Sequence, residues 1–156
     1  MTAEENKALV RRLNEAANQR DDAAADALIA DDWVAHGWWY HPVTLDGSPV
    51  PESGGTQKLM RDNRDRFREE FPQMQTVHDE VFAADDTVTV LMTTQLTRRD
   101  GKRVTRKAIA VHRIADGKIA ETWHQWDRLG HFQQLGVVPE SAELLRLARG
   151  EARQTS

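Results

Sequence analysis

The chain has 156 residues, a formal net charge of −4 and no cysteine, which predicts one domain of roughly 150 residues and excludes disulfides, thiolate metal sites and cysteine nucleophiles. The mildly acidic charge does not favour nucleic-acid binding, and no apolar run approaches the roughly 20 residues of a membrane span. Since residues 1–7 lack the basic and apolar segments of a signal peptide, we expect a cytoplasmic protein that binds neither nucleic acid nor membranes.

The N-terminal part of the chain is predicted to be mainly helical. Thr2 and Glu5 form a capping-box pattern, and apolar residues then recur on one helical face. Asp21 or Asp22 can cap a second helix. The elements predicted here are a helix that begins after Thr2, a second helix over residues 23–30 and a strand over residues 31–36.

A stretch rich in Gly, Pro and Ser follows over residues 37–55. It opens with an aromatic cluster, Trp38, Trp39 and Tyr40. A loop of this length inside a domain is usually a lid, a binding loop or an interface arm. Two interpretations of the cluster stay open, a lid over a substrate or an apolar plug against a partner chain.

A third helix is predicted from a cap at Thr56 to a stop at Pro72, with Phe67 on its apolar side. Apolar residues then alternate with a period of two, and Asp-Gly pairs indicate hairpin turns. The predicted strands lie near 75–83, 87–98, 102–114 and 118–128, before a short helix within 139–150 and a frayed tail over 151–156. Helices followed by an antiparallel sheet indicate one α+β domain over residues 1–150, with the helices packed on a curved sheet whose open end is a natural pocket.

The last hairpin determines which side chains face that pocket. A two-residue turn at 116–117 puts His112 opposite Glu121, and regular alternation then places Trp123 and Asp127 on the same face. A histidine, two carboxylates and an aromatic wall around small residues are typical of a small-molecule site. The other face of the hairpin is half apolar, so a second copy of the chain is predicted to cover it as a homodimer.

Short motifs spread over residues 5–139 are similar to those of one known family. They are Phe71-Pro72, Ile109, Arg113 to Ile119, Glu121, Trp123, Asp127 and Gln133 to Val137, with Asp31-Asp32-Trp33 and His36 in the first strand. Together they resemble the SnoaL-like polyketide cyclases, members of the nuclear-transport-factor-2-like superfamily of cone-shaped α+β folds. The resemblance implies that fold for nearly the whole chain, and it implies activity less directly because one fold hosts many reactions.

The resemblance also implies catalytic residues. An aspartate base at the end of the last long strand corresponds to Asp127, and a histidine on the strand before it corresponds to His112. The implied reaction is an aldol closure of a polyketide ester, in which a base removes a proton next to a carbonyl and a donor stabilises the enolate. The predicted ligand is a hydrophobic carbonyl compound, with no cofactor. The candidate substrate-binding residues are Trp123, Glu121, His36, Trp38, Trp39, Tyr40 and Phe67.

Structural interpretations of these residues stay open as well. Asp127 can cap the turn that follows it or pair with Arg106, and His112 and Glu121 can form an ion pair within the sheet. Trp123 can be core, and His36 can be a surface histidine. The remaining functional alternatives are a hydrolase, dehydratase or isomerase that uses the same acid, and a non-catalytic ligand-binding or dimerisation domain.

A metal site is not predicted. His124, Asp127 and His131 have a suggestive spacing, but strand alternation puts His124 and Asp127 on opposite faces of the sheet. The chain also has no Gly-rich phosphate loop, so no nucleotide cofactor is predicted.

Overall fold

The computed structural model of the protein describes residues 1–36 and 55–150, with the backbone alone for residues 55–60, 62 and 63. The predictions for the rest of the 37–55 loop and for the 151–156 tail fall outside the described residues. The helices and strands are α1 (Ala3–Gln19), α2 (Asp22–Ala27), β1 (Ile29–His36), β2 (Gly55–Thr56), α3 (Gln57–Glu70), β3 (Gln73–Ala84), β4 (Thr87–Thr97), β5 (Arg103–Ala115), β6 (Lys118–Trp126), α4 (Arg128–Leu135) and α5 (Ser141–Ala148).

The described strands form one sheet in the order β2-β1-β6-β5-β4-β3. Neighbouring strands are antiparallel except for β1 and β6, which run parallel. The inner face of the sheet carries the buried side chains and packs against the helices, because the strands alternate buried and exposed residues. The predicted α+β class is therefore confirmed, and the four long hairpin strands lie where the alternation places them.

Helix α1 begins as its sequence predicts and covers an edge of the sheet. The Thr2 side chain accepts from the Glu5 backbone N–H, and the Glu5 side chain accepts from the Thr2 N–H, which completes the capping box. Further along α1, Asn18 exchanges two hydrogen bonds of 2.8 Å with the backbone of Thr76 in β3. These bonds occupy backbone groups of an edge strand that would otherwise be open to another chain.

Two boundaries differ from the prediction. Helix α2 ends at Ala27 rather than at residue 30, because the Leu28 carbonyl accepts from the Ile119 N–H and Ile29 already pairs with β6. Strand β6 ends at Trp126, and α4 begins two residues later with Asp127 as its N-cap and Gly136 (φ 74°) as its C-cap.

Ion pairs join the charged face of α3 to α2. Arg68 makes a bidentate pair with the Asp22 carboxylate at 2.7 and 2.8 Å, and the Arg61 Nε lies 2.9 Å from an Asp26 oxygen. The Arg68 hydrogen bonds lower the pKa of Asp22. A polar helix face thus binds its neighbour through charge, while the opposite face supplies Phe67 and Phe71 to the interior.

The interior contains two separate apolar clusters. One comprises Leu9, Val10, Trp33, Ala35, Val88, Val90, Ile114 and Ile119. The other comprises Phe71, Leu96, Val104 and Leu135, with Phe67, Met74 and Phe132 against it. On β5 the segment between Val104 and Ile114 belongs to neither cluster, and its inward residues are polar or small.

Candidate active site

The polar segment continues across the neighbouring strands. We call it the interior band: Thr94, Arg106, Ala108, Ala110, His112, Thr122, His124 and Trp126. The two alanines are 8% and 2% exposed and are the smallest side chains of the band. Polar groups around small side chains, between two apolar clusters, are the usual composition of a small-molecule site.

The alignment of β5 with β6 differs from the regular register. Ala115 pairs with Lys118 and Ile114 with Ile119, as the turn predicts, but Arg113 then pairs with Glu121. Ala120 is the extra residue of a β-bulge. The prediction that His112 lies opposite Glu121 is therefore wrong.

The shift follows from the relative cost of burying different side chains. With the bulge, His112 pairs with Thr122, which is 3% exposed, while Glu121 reaches the outer face. Regular alternation would place the Glu121 carboxylate inside, where an ion loses its hydration. Ile119 remains buried on the other side of the bulge. Both halves of β6 therefore keep uncharged side chains in the interior.

His112 is held by a hydrogen-bonded chain of three buried side chains. The Trp33 Nε1–H donates to Thr122 Oγ1 at 3.0 Å, and the same oxygen lies 2.9 Å from His112 Nδ1. The indole can only donate, so the Thr122 hydroxyl accepts that bond and has its own hydrogen to donate to Nδ1. Donation to Nδ1 puts the hydrogen of the neutral imidazole on Nε2, whereas the other tautomer donates from Nδ1 to the second lone pair of Thr122 Oγ1.

The imidazoles of the interior are neutral at pH 7. Burial lowers the pKa of His112 to about 4, with a smaller contribution from His78. Burial and the positive charge of Arg106 lower the pKa of His124 to about 4, and the same two causes lower that of His131 to about 4. Each ring can therefore act as a hydrogen-bond donor and as a proton acceptor without first losing a proton.

Arg106 is the cation of this interior. Its guanidinium carbon lies 4.7 Å from the centre of the Trp126 ring and 5.8 Å from that of Phe67. Burial lowers its pKa to about 10, so it stays charged at neutral pH. Its Nε is fully buried without a hydrogen-bond partner. The aromatic rings offset the lost hydration of the guanidinium only in part.

Phe67 is the predicted substrate-binding residue that lies beside the interior band. Its ring contacts both Arg106 and Phe71. Its ligand contact stays a prediction. The aromatic cluster of Trp38, Trp39 and Tyr40 falls outside the described residues.

Three predicted site residues lie on the outer face instead. His36 Nε2 is 2.6 Å from Glu121 Oε2, and Arg113 Nε donates to Glu121 Oε1 at 2.6 Å. The His36 ring stacks on Trp123 with centroids 4.5 Å apart. The hydrogen bonds from His36 and Arg113 lower the pKa of Glu121. The prediction that Glu121, Trp123 and His36 line the interior beside His112 is thus wrong. The bulge turns Glu121 and Trp123 outward, and His36 lies beside Trp123 on the neighbouring strand β1.

The outer face is also apolar. Trp123 is 40% exposed, and its neighbours across the sheet include Val111 and the half-exposed Ile109 and Phe82. An exposed apolar patch with a polar rim is typical of an interaction surface. The homodimer stays a prediction.

Asp127 lies at the rim, where it begins α4. Its side chain is exposed, and Oδ1 accepts from the Gly130 N–H at 2.8 Å. The structural interpretation of this residue as a cap therefore fits, and the prediction that it shares an inward face with His112 is wrong. The predicted role of its carboxylate as a base is untested, and its exposure and its cap hydrogen bond favour the structural role.

Asp127→Asn separates the two roles, because asparagine also caps helices but carries no carboxylate. We expect this variant to keep both its turnover and its free energy of unfolding near those of the wild type. Asp127→Ala loses the cap, and urea unfolding is expected to show a loss of about 1 kcal/mol. A large drop in turnover for Asp127→Asn at unchanged stability would instead establish the carboxylate as the base.

Seven members of the interior band are not among the predicted site residues: the two alanines, Ala108 and Ala110, and five larger residues, Thr94, Arg106, Thr122, His124 and Trp126. The regular register placed the last three on the opposite face, and Arg106 was considered only as a partner of Asp127. One sequence signal could have found them. The regular register buries the Glu121 carboxylate and the Gln125 amide, and the cost of burying these polar groups indicates a different register.

The described residues were also inspected for metal ligands and membrane helices. In residues 1–36 and 55–150 no three His, Asp or Glu side chains come together as metal ligands. Within the same ranges, no helix has both the length and the apolarity needed to cross a bilayer. Two surface depressions of about 120 and 290 Å³ lie away from the interior band, at opposite ends of the sheet.

A family model for the SnoaL-like domain matches residues 10–122, most of the chain. The chain belongs to the SnoaL-like family. This agrees with the resemblance carried by the motifs around Arg113 to Ile119. A search of curated proteins found no match for this SnoaL-like chain.

Solved structures give the same fold for the SnoaL-like domain. AclR of Streptomyces galilaeus, a proposed hydroxylase, has a TM-score of 0.73 at 20% identity, over 88% of this chain and 100% of AclR. IdmH of Streptomyces antibioticus, a proposed polyketide cyclase, has a TM-score of 0.72 at 22% identity, over 85% of this chain and 99% of IdmH. An epoxide hydrolase of M. tuberculosis has a TM-score of 0.65 at 18% identity, over 96% and 98%. These proteins share an architecture with this chain and carry different activities in their names.

Proposed function

We propose that this protein is a cofactor-independent enzyme that carries out acid–base chemistry at a carbon next to a carbonyl, on an apolar small molecule bound at the interior band. The observation that carries the proposal is the Trp33–Thr122–His112 chain, which holds a buried neutral imidazole. The tautomer with its hydrogen on Nε2 is part of the proposal. The polyketide cyclase name of IdmH supports the same reaction class for a relative of this fold.

His112 is proposed to stabilise the oxygen of the substrate. When a proton leaves the carbon next to a carbonyl, negative charge develops on the carbonyl oxygen. An N–H donor fixed in a site of low polarity stabilises that charge at no cost of reorganisation. Neutral imidazole serves here because the contact between Nδ1 and Thr122 orients the ring and leaves Nε2 as the donor.

His124 is proposed to accept the proton. It lies on the same face as His112, opposite Ala110 on β5, and its neutral ring has a lone pair. A pKa of about 4 makes it a weak base in the free protein, but a negative charge developing nearby raises the pKa of an imidazole. The enolate carbon can then attack a second carbonyl of the same ligand, which forms the carbon–carbon bond that closes the ring and moves the π electrons of that carbonyl to its oxygen. The proton on His124 then returns to the new alkoxide and completes the aldol.

An isotope-exchange assay tests this function without knowledge of the natural substrate. 1-Tetralone, an apolar ketone, is incubated with the full chain in buffered D₂O, and the loss of hydrogen next to the carbonyl is followed by NMR. We expect the wild type to accelerate exchange and His112→Gln to reduce the acceleration about 100-fold. Asp127→Asn is the matched control at the rim and is expected to exchange at the wild-type rate.

A second function, ligand binding without turnover, is favoured by one observation. None of the described Asp and Glu side chains is buried, so the interior described here lacks the carboxylate that most enzymes of this chemistry use as a base. A wild type that binds 1-tetralone, as seen by NMR line broadening, without accelerating exchange would support this function and reject the enzyme.

A further inference from the structure

Among the residues that the structure describes, Arg106 is a largely buried cation with no anionic partner. Among the described residues no Asp or Glu forms an ion pair with it, and its buried Nε has no hydrogen-bond partner. Its neighbours are two aromatic rings, Trp126 and Phe67, and imidazoles that are neutral. Aromatic faces attract a guanidinium but cannot accept its five N–H groups in the fork geometry that a carboxylate provides.

A pair of hydroxyls lies on the same row of the sheet. Thr94 is directly opposite Arg106 and is 2% exposed, and its Oγ1 is 2.9 Å from the Oγ1 of Thr76. The bond between the two hydroxyls uses only one of their two hydrogens. A guanidinium and hydroxyl groups at one position are the donors that a carboxylate accepts.

We propose that Arg106 binds a carboxylate of the ligand, so that the substrate class is an apolar carbonyl compound that also bears a carboxylate group. The carbonyl half of this statement rests on the proposed function, whereas the carboxylate half rests on Arg106 and its surroundings. In the proposed complex the carboxylate of the ligand forms a bidentate pair with the Arg106 guanidinium. The apolar part of the ligand extends over Ala108 and Ala110 toward His112.

A ligand-binding role and a purely structural role of Arg106 predict opposite changes in the free energy of unfolding when the residue is replaced. Replacing an unpaired buried cation by an apolar side chain of similar length removes a desolvation cost. Arg106→Met is therefore expected to unfold at an equal or higher urea concentration than the wild type while losing anion binding. A structural role in holding Trp126 and Phe67 would instead lower the unfolding midpoint.

Calorimetric titration with two probes of the same shape tests the proposal. The probes are 2-naphthoate, a planar anion, and 2-naphthamide, its neutral counterpart. We expect the wild type to prefer the anion at least about 10-fold, and Arg106→Met to lose that preference. Arg103→Met is the matched control, since it removes the same charge from an exposed position on the same strand and is expected to keep the preference.

A measurement on the wild type makes the result independent of whether Arg106→Met folds. The Nε–H resonance of Arg106 is expected to shift on addition of 2-naphthoate and to stay in place with 2-naphthamide. Equal affinity of the wild type for the two probes, or an unchanged preference in Arg106→Met, would overturn the proposal. Since these experiments measure binding, failed isotope exchange with retained anion preference would reject the proposed reaction and keep this inference.

Discussion

The free energy of unfolding is expected to fall steeply between about pH 6.5 and about pH 4.5. Burial lowers the pKa of His112, His124 and His131 to about 4, from 6.5 in the unfolded chain. In that window the unfolded chain binds more protons than the folded protein, so stability rises with pH across it. The contribution is complete above pH 6.5 and is lost as the pH falls toward 4. Each fully buried ring contributes up to about 3 kcal/mol.

Urea unfolding followed by tryptophan fluorescence at pH 7.5, 6.5, 5.5 and 4.5 measures this loss. His112→Gln is the control, because it removes one titrating ring and is expected to reduce the slope by up to about 1.4 kcal/mol per pH unit. A free energy of unfolding that stays level down to pH 5 would show that the imidazoles reach solvent in the folded state.

Thr122→Val is expected to have the largest effect of any single methyl-for-hydroxyl replacement in the described interior. The change leaves the Trp33 Nε1–H and the His112 Nδ1 buried without their shared partner. Each unpaired buried group costs about 1–3 kcal/mol, so we expect a loss of about 4 kcal/mol in the free energy of unfolding. His112 also loses the contact that orients its ring, and isotope exchange is expected to fall at least about 10-fold.

Thr122→Ser supplies the matched control. It keeps the hydroxyl and removes one methyl group, which costs about 1 kcal/mol in a packed interior. We expect it to retain most of the exchange activity. If the serine and valine variants lose equal activity, the methyl contact rather than the hydroxyl positions His112, and the donor role of that ring is rejected.

Much of the fold follows from local patterns in the chain. The capping box at Thr2 and Glu5, the period of two after Pro72 and the Asp-Gly turn at 116–117 each reflect backbone geometry within a few residues. These features predict the helices, the strands and their antiparallel order. The end of α2 depends instead on pairing between Leu28 and Ile119, which lie far apart in sequence.

The site was predicted less well because it depends on one residue of register. The regular alignment is predicted from the turn alone. The bulge at Ala120 depends on which of Ile119, Glu121 and Thr122 are buried in the folded protein. His112 was predicted on the inner face because it precedes the turn on β5, on the strand without the extra residue. Every prediction on β6 beyond Ala120 changed sides.

The extra residue at Ala120 also has a consequence for comparing this chain with its homologues. In a family member without the extra residue, each position of this strand beyond the bulge faces the opposite side of the sheet from the corresponding position of this chain. An ungapped alignment of such a chain with this one would equate a surface carboxylate with an interior imidazole. Homologues therefore have to be superposed in space at this strand before their catalytic positions can be equated.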